Sequence, residues 1–150
     1  MKTALCSDVL KALEGKTLAT AESLTGGGIG AAITAVSGAS AVYKGGVVSY
    51  TNEIKHAVLG VSREILDAHG AVSAPVAKEM AAGVRKLLSA DVAVSVTGLA
   101  GPGGDDFGNP VGTVCIGYAD KRQAVLTRSN PPYKQHRTLH PHPKKARYNL

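Results

Sequence analysis

A chain of 150 residues with 44 % hydrophobic content, 18 glycines, no Trp and one Phe is long enough for one packed core of small aliphatic side chains, as layered α/β proteins use. Its net charge of +6 belongs to one end: residues 1–120 hold nine basic against eleven acidic residues, residues 121–150 hold eight basic and no acidic ones. A polyanion-binding reading must therefore rest on the last thirty residues, and no apolar run reaches the length of a signal sequence or a membrane span.

Cys6 and Cys115 lack metal or redox spacing and sit in apolar runs, so both read as small buried hydrophobes in a cytoplasmic protein. Ser7 to Leu13 predicts a short amphipathic helix ended by Gly15. Thr17 to Ala21 predicts a central strand that runs into Glu22, Ser23, Thr25 and three glycines, Gly26 to Gly28. The helix that follows reaches Val36, with Thr25 as its N-cap and Ser37-Gly38 as its stop. Glycine costs about 1 kcal/mol relative to Ala in a helix interior, so three at the entry imply close approach of backbone to a ligand or a neighbouring strand.

Val42 to Tyr50 predicts a strand bent at Gly45-Gly46, delivering Tyr50, Thr51 and Asn52. Ile54, Val58 and Leu59 then share a helical face, with Lys55 close enough in sequence to join Tyr50 and Asn52 in one site. Ser62 to Ala68 predicts a short helix ended by Gly70, and Ser73-Ala74-Pro75 opens a longer one to about Leu88. Asp91 to Thr97 and Val111 to Tyr118 predict strands on either side of Gly98 to Pro110, a thirteen-residue loop with five glycines and two prolines. Loops so much longer than the usual handful of residues tend to carry function. After Asp120 only Gln123 to Thr127 reads as an edge strand, and the rest of residues 121–150, rich in Pro and His, reads as an irregular basic tail: a solvated end, an arm for RNA, or a metal site at His140 and His142.

Ser23 lies where a hydroxyl meets backbone N–H groups, the arrangement of a nucleophile beside an oxyanion or phosphate site; from spacing alone, a simple cap of the next helix accounts for it equally. Neither a Walker loop nor the full dinucleotide fingerprint is present, which argues against an ATPase or an NAD dehydrogenase. His56 and His69 fall in helices dominated by packing signals, whereas a desolvated Lys55 near a phenol or hydroxyl can activate a serine without histidine. Asp105 and Asp106, adjacent on a loop, read as solvated rather than metal-binding.

The segments ATAESLTGGGIGAAIT, GGVVSYTNEIKHAVLGV, AHGAVSAPVAKEMAAG and ADVAVSVTGLAGPGG followed by NPVGTVCIG resemble, in order, the signatures of the C-terminal domain of the competence/damage-inducible protein CinA, the nicotinamide-nucleotide amidohydrolase (NMN deamidase) family. The resemblance covers about residues 5–119. It implies a single α/β domain, a three-layer α/β/α sandwich with a central mixed sheet over residues 1–120. It also implies hydrolysis of nicotinamide mononucleotide to nicotinate mononucleotide and ammonia, with no metal or organic cofactor, and homodimers. The family's catalytic serine, tyrosine and lysine match Ser23, Tyr50 and Lys55. Glycine chemistry adds Thr25, Gly26, Gly27, Asn52, Thr97, Gly98, Gly101 and Gly103 as candidate contacts for phosphate, ribose or oxyanion. The chain departs from the family at its C-terminus, where a closing helix and a site arginine are expected. Only Arg122 and Arg128 stand nearby, and the end reads as divergent or frame-shifted. Besides the amidohydrolase, a catalytically impaired nucleotide-binding module and a nucleic-acid binder using the tail remain as alternatives.

Overall fold

The computed structural model describes residues 2–129. The expectations for an irregular tail beyond residue 129 and for a metal at His140 and His142 lie outside the described residues. Five strands form one sheet in the order β2-β1-β3-β4-β5: β1 (Leu18–Glu22), β2 (Tyr43–Val48), β3 (Val92–Gly98), β4 (Val114–Ala119) and β5 (Ala124–Ser129). β1 runs parallel to both β2 and β3, while β4 and β5 continue antiparallel, so the sheet is mixed. The first two parallel crossovers are helical, and the turn from β4 to β5 is a short hairpin, as each pairing type requires.

Alternation along the central strands sorts the core into two layers. Leu18 and Val92 turn to one face and pack with Leu10 of α1 (Lys2–Ala12), Ile33 of α2 (Gly28–Thr34), Ala39 and Val42. Ala19, Ala21 and Ala93 turn to the other, against Leu59 of α3 (Asn52–Leu59), Leu66 of α4 (Arg63–His69) and Val76, Met80 and Val84 of α5 (Ala74–Leu87). This is an α/β/α sandwich. Small residues on the α5 side let that helix lie close to the strands. A Cβ on Gly117 of β4 would come within 2.2 Å of the Ala77 carbonyl oxygen, and one on Gly83 within 1.9 Å of that of Leu59.

Local signals decide the element ends. Ser62 and Ser73 cap α4 and α5 through their side-chain oxygens, and the N–H of Ser62 donates to Glu79 on α5, 2.7 Å away. The expected bend in β2 is a register shift opposite Leu18 and Ala19, next to Gly45 at φ 139°. Two expectations change. Cys115 is buried, but Cys6 is only half-buried, because α1 packs through one stripe and leaves Leu5 and Val9 exposed. The helix after Ser23 starts later than expected: Gly27, in the left-handed region at φ 98°, is its N-cap, and Thr25 is not. β5 lies along the segment expected to form an edge strand. Among the described residues no helix is long and apolar enough to cross a membrane.

The contact between α5 and the end of α3 predicts a large cost for one methyl group. Gly83→Ala should lower the unfolding free energy by roughly 2 to 3 kcal/mol, since backbone and not a flexible side chain stands in the way. Gly103→Ala, whose Cβ meets nothing within 4 Å, should change it by less than about 0.5 kcal/mol. Urea unfolding of the two variants tests the pair, and equal costs would overturn the close-packing account.

Candidate active site

Ser23 follows directly on β1, at the end of the sheet where the parallel strands finish. Its N–H donates to the Val96 carbonyl of β3 at 3.0 Å, and its own carbonyl accepts from Gly26 N–H at 3.1 Å. On the other side of β1, Ser49 N–H donates to the Glu22 carbonyl at 2.7 Å, which carries the pairing with β2 one residue past the strand. Ser23 is thus fixed between the ends of two neighbouring strands, and its side chain is 6 % exposed.

Lys55 comes to the same place from α3. Thr51 caps that helix, accepting from Ile54 N–H at 3.3 Å, so that Lys55 falls in its first turn with its side chain folded inward. It is 1 % exposed. Its ammonium nitrogen lies 3.0 Å from Ser23 Oγ, 2.7 Å from the Ser49 carbonyl oxygen and 3.4 Å from that of Tyr50. All three partners are neutral, and among the described residues the one ion pair is Lys121 with Asp91, far along the chain from here. Burial without a compensating carboxylate lowers the Lys55 pKa from 10.5 to about 8. Deprotonation leaves two hydrogens on Nζ, and the Ser49 and Tyr50 carbonyls accept them. The lone pair is then directed at the third neighbour, the Ser23 hydroxyl. In the neutral amine the two carbonyls thus leave the lone pair facing Ser23 Oγ.

The remaining candidates divide by position. Thr25 and Gly26 are exposed beside Ser23, and Gly27 is partly covered. The backbone N–H groups of Leu24 and Thr25 donate to no backbone carbonyl among the described residues. Gly98 ends β3 under this turn, where a Cβ would meet Leu24 Cδ1 at 2.9 Å. Tyr50 joins the site through its backbone carbonyl, while its side chain is 74 % exposed. Asn52 is exposed at the start of α3 and lines a separate recess of about 180 Å³ with His56 and Arg63. Thr97 is drawn into the core: its hydroxyl donates to the Ala71 carbonyl at 2.8 Å, and its exposure is 1 %. Gly101 and Gly103 are exposed on the loop that follows β3. That loop is held by Asp105, which accepts from the N–H groups of Phe107 and Asn109, and by Asn109, which donates to the Val72 carbonyl at 3.0 Å. His56 ties α3 to the next connection through Nδ1 and the Val61 carbonyl, 2.8 Å apart. Among the described residues no group of three or more His, Cys, Asp and Glu is arranged to hold a metal ion. A groove of about 640 Å³ between α3 and α5 includes neither Ser23 nor Lys55.

Sequence reasoning missed Glu22. It is 2 % exposed on the α2 side of β1. Oε2 accepts from Thr25 Oγ1 at 2.6 Å and from Ile29 N–H at 2.9 Å, and Oε1 accepts from Gly30 N–H at 2.8 Å. The first free N–H groups of α2, expected to be open to a ligand, are occupied by this carboxylate. An acidic residue at the end of an otherwise apolar strand, followed by a glycine-rich helix start, was the signal for it.

The family model described as the CinA C-terminal domain matches residues 2–141. A CinA-like protein of Synechococcus sp. (strain CC9902) is 51 % identical over 112 residues, covering 75 % of this chain and 27 % of its own. A CinA-like protein of Mycolicibacterium gilvum is 51 % identical over 128 residues, covering 85 % and 30 %. The chain thus spans about a quarter to a third of the length of these relatives. Among solved structures, the competence damage-inducible protein A (ComA) of Klebsiella pneumoniae superposes with a TM-score of 0.83 at 40 % identity, covering 86 % of this chain and 81 % of that one. The competence/damage inducible protein CihA of Agrobacterium tumefaciens does so with a TM-score of 0.81 at 38 % identity, covering 86 % and 80 %.

The buried amine has a thermodynamic signature. Below about pH 8 both folded and unfolded chains hold the Lys55 proton, and the folded state bears the full cost of the buried ammonium. Between about 8 and 10.5 only the unfolded chain still binds it, so stability relative to Lys55→Met rises with pH across that window. Urea titrations of both proteins at about pH 7 and about pH 10 should differ in their pH response by roughly 2 to 3 kcal/mol. Parallel responses would mean that Lys55 titrates as it does in water.

Proposed function

The chain belongs to the CinA C-terminal domain family, and we propose that it is an amidohydrolase that converts nicotinamide mononucleotide to nicotinate mononucleotide and ammonia. The observation that carries this reading is the 3.0 Å contact between the buried, counter-ion-free Lys55 amine and Ser23 Oγ. A serine hydroxyl is a weak nucleophile at neutral pH unless a base of suitable pKa holds its proton, and an amine whose pKa lies near 8 meets that need without histidine.

Ser23 Oγ attacks the carboxamide carbon while its proton passes to Lys55 Nζ. The C=O π-bond opens and the charge moves to the carbonyl oxygen, for which the N–H groups of Leu24 and Thr25 are the donors nearest in the chain. Collapse breaks the C–N bond, Lys55 returns the proton to the departing nitrogen, and ammonia leaves an ester on Ser23. Water then attacks the ester carbon, gives a proton to Lys55, and the released Ser23 oxygen takes it back. One water is consumed and one ammonia formed per turn.

Tyr50 contributes from outside this dyad. Its exposed ring is suited to cover the cationic pyridinium of the substrate, an attraction of about 0.5 to 2 kcal/mol. The exposed Thr25 and Gly26, and Gly101 and Gly103 on the loop after β3, offer backbone and hydroxyl donors for ribose and phosphate. Asn52, exposed at the start of α3, completes the proposed contact set, and the buried Thr97 touches no substrate but holds the end of β3 in place.

Ser23→Ala should reduce ammonia release from nicotinamide mononucleotide by about 10³-fold or more with the circular dichroism spectrum unchanged. In the wild-type protein kcat/KM should climb about tenfold per pH unit below a midpoint near 8 and level off above it, since the neutral amine is the active form. Ser23→Ala that still turns over, or a rate that falls as pH rises through 8, would remove the dyad from the reaction.

A further inference from the structure

We infer that Glu22 is a positioning residue for the Ser23–Lys55 dyad: its carboxylate locks the turn that carries Ser23, and its backbone places the carbonyl that orients Lys55. The inference rests on the dyad reading above and adds a residue that touches neither substrate nor reacting atoms.

The turn that holds Ser23 has little reason of its own to keep one shape. Gly26 and Gly27 have φ of 58° and 98°, and the α2 N-cap makes no side-chain hydrogen bond. Glycines in such a turn leave many conformations open. What closes it is the residue immediately before the nucleophile. Glu22 reaches over the turn to Thr25 Oγ1 at 2.6 Å and to the N–H groups of Ile29 and Gly30 at 2.9 and 2.8 Å. Residues 22 to 30 thereby become one bracket with Ser23 inside it. A helix that needed only a cap would take one from a Ser, Thr, Asp or Asn at its own first position. A carboxylate donated from the strand, seven and eight residues back, does something more: it fixes helix and nucleophile relative to the sheet.

The same residue reaches Lys55 by a second path. The Glu22 carbonyl accepts from Ser49 N–H at 2.7 Å, and the Ser49 carbonyl accepts from Lys55 Nζ at 2.7 Å. Side chain and backbone of residue 22 therefore set the two sides of the 3.0 Å contact. The site is crowded against adjustment: Thr20 Oγ1 and Tyr43 Oη are 2.7 Å apart behind the carboxylate, and a Cβ on Gly30 would come 2.7 Å from Tyr43 Oη. Burial and then the Glu22 charge raise the Tyr43 pKa, so that hydroxyl stays neutral beside it.

Glu22→Gln keeps the shape and exchanges a two-oxygen acceptor for an amide that meets an N–H donor with its own NH₂ group. Two readouts apply, one of them independent of any substrate. ¹⁵N NMR of lysine side chains gives the Lys55 titration midpoint. In Glu22→Gln an opened turn admits water to the amine, and the midpoint should move up from about 8 toward 10.5. Ammonia release should fall at least about tenfold in kcat while KM for nicotinamide mononucleotide changes less than about threefold. Thr25→Val removes one arm of the bracket and should shift the midpoint the same way by a smaller amount. An unchanged midpoint in either variant overturns the inference. A midpoint that falls below the wild-type value also overturns it, because that sign belongs to a carboxylate acting only as a distant charge. If the wild-type protein releases no ammonia, the amidohydrolase reading fails while the titration still decides for or against the bracket. If Glu22→Gln does not fold, Thr25→Val decides it by the same measurement.

Discussion

A lysine amine buried to 1 % exposure, with only neutral oxygens around it, is the constraint on which the rest of this structure turns. An isolated ammonium costs several kcal/mol to desolvate, and proteins ordinarily answer that cost with a carboxylate. Here the answer is a lowered proton affinity. For it to hold, α3 must begin where β2 ends, so that two carbonyls of the connecting residues, Ser49 and Tyr50, face back toward the amine. It also requires β1 to end one residue before Ser23. The order β2-β1-β3 with all three strands parallel supplies this arrangement: it gathers the C-terminal ends of the strands on one side, where the polar groups that follow them converge.

Much of this was legible in the sequence because it depends on near neighbours in the chain. Ser62 and Ser73 announce the starts of α4 and α5, Gly45 announces the irregularity in β2, and β-branched runs mark the strands. Ser23 and Lys55 could be named because a hydroxyl after a strand and a lysine after a polar strand end are recognisable as types, and a family resemblance pointed to both. What was not legible depends on distance through space. The Lys55 environment needs to be free of carboxylates, which no spacing shows. Thr25 has the chemistry of an N-cap, but a carboxylate from the strand competes for the same N–H groups and wins, being charged and already at the helix entry. Tyr50 sits beside Lys55 in the chain, yet its residue contributes a carbonyl inward and a ring outward, as the extended backbone before α3 dictates.

Among the described residues the two helical layers are unequal. α5 lies across β3, β4 and β5 on one face, so Cys115, Gly117 and Ala119 of β4 are buried. On the other face α1 and α2 cover β1 and the near side of β3, and Ile116 and Val125 remain 42 % and 44 % exposed. The site is on the side of the sheet where both layers are present. β1, the strand that delivers Ser23, is buried along its whole length.

The two buried charges beside Ser23 are held apart. Glu22 and Lys55 are both almost wholly buried and flank the same serine, one as the preceding residue and one as its hydrogen-bond partner, yet the structure keeps them from forming an ion pair. Direct pairing would satisfy both charges, and it would also raise the lysine pKa, which the proposed reaction needs near neutrality. Instead the carboxylate is turned to the α2 face and met by peptide N–H groups and a hydroxyl, while the amine is turned to the α3 side and met by carbonyls. Each charge is answered by fixed backbone dipoles, which do not carry a titrating proton. The glycine-rich helix entry fits this separation: a Cβ at Gly30 would come 2.7 Å from Tyr43 Oη beside the carboxylate, and Gly27, at φ 98°, turns the chain into α2. The glycine entry that weakens α2 as a helix is thus part of the geometry on which the proposed role of Lys55 as a base rests.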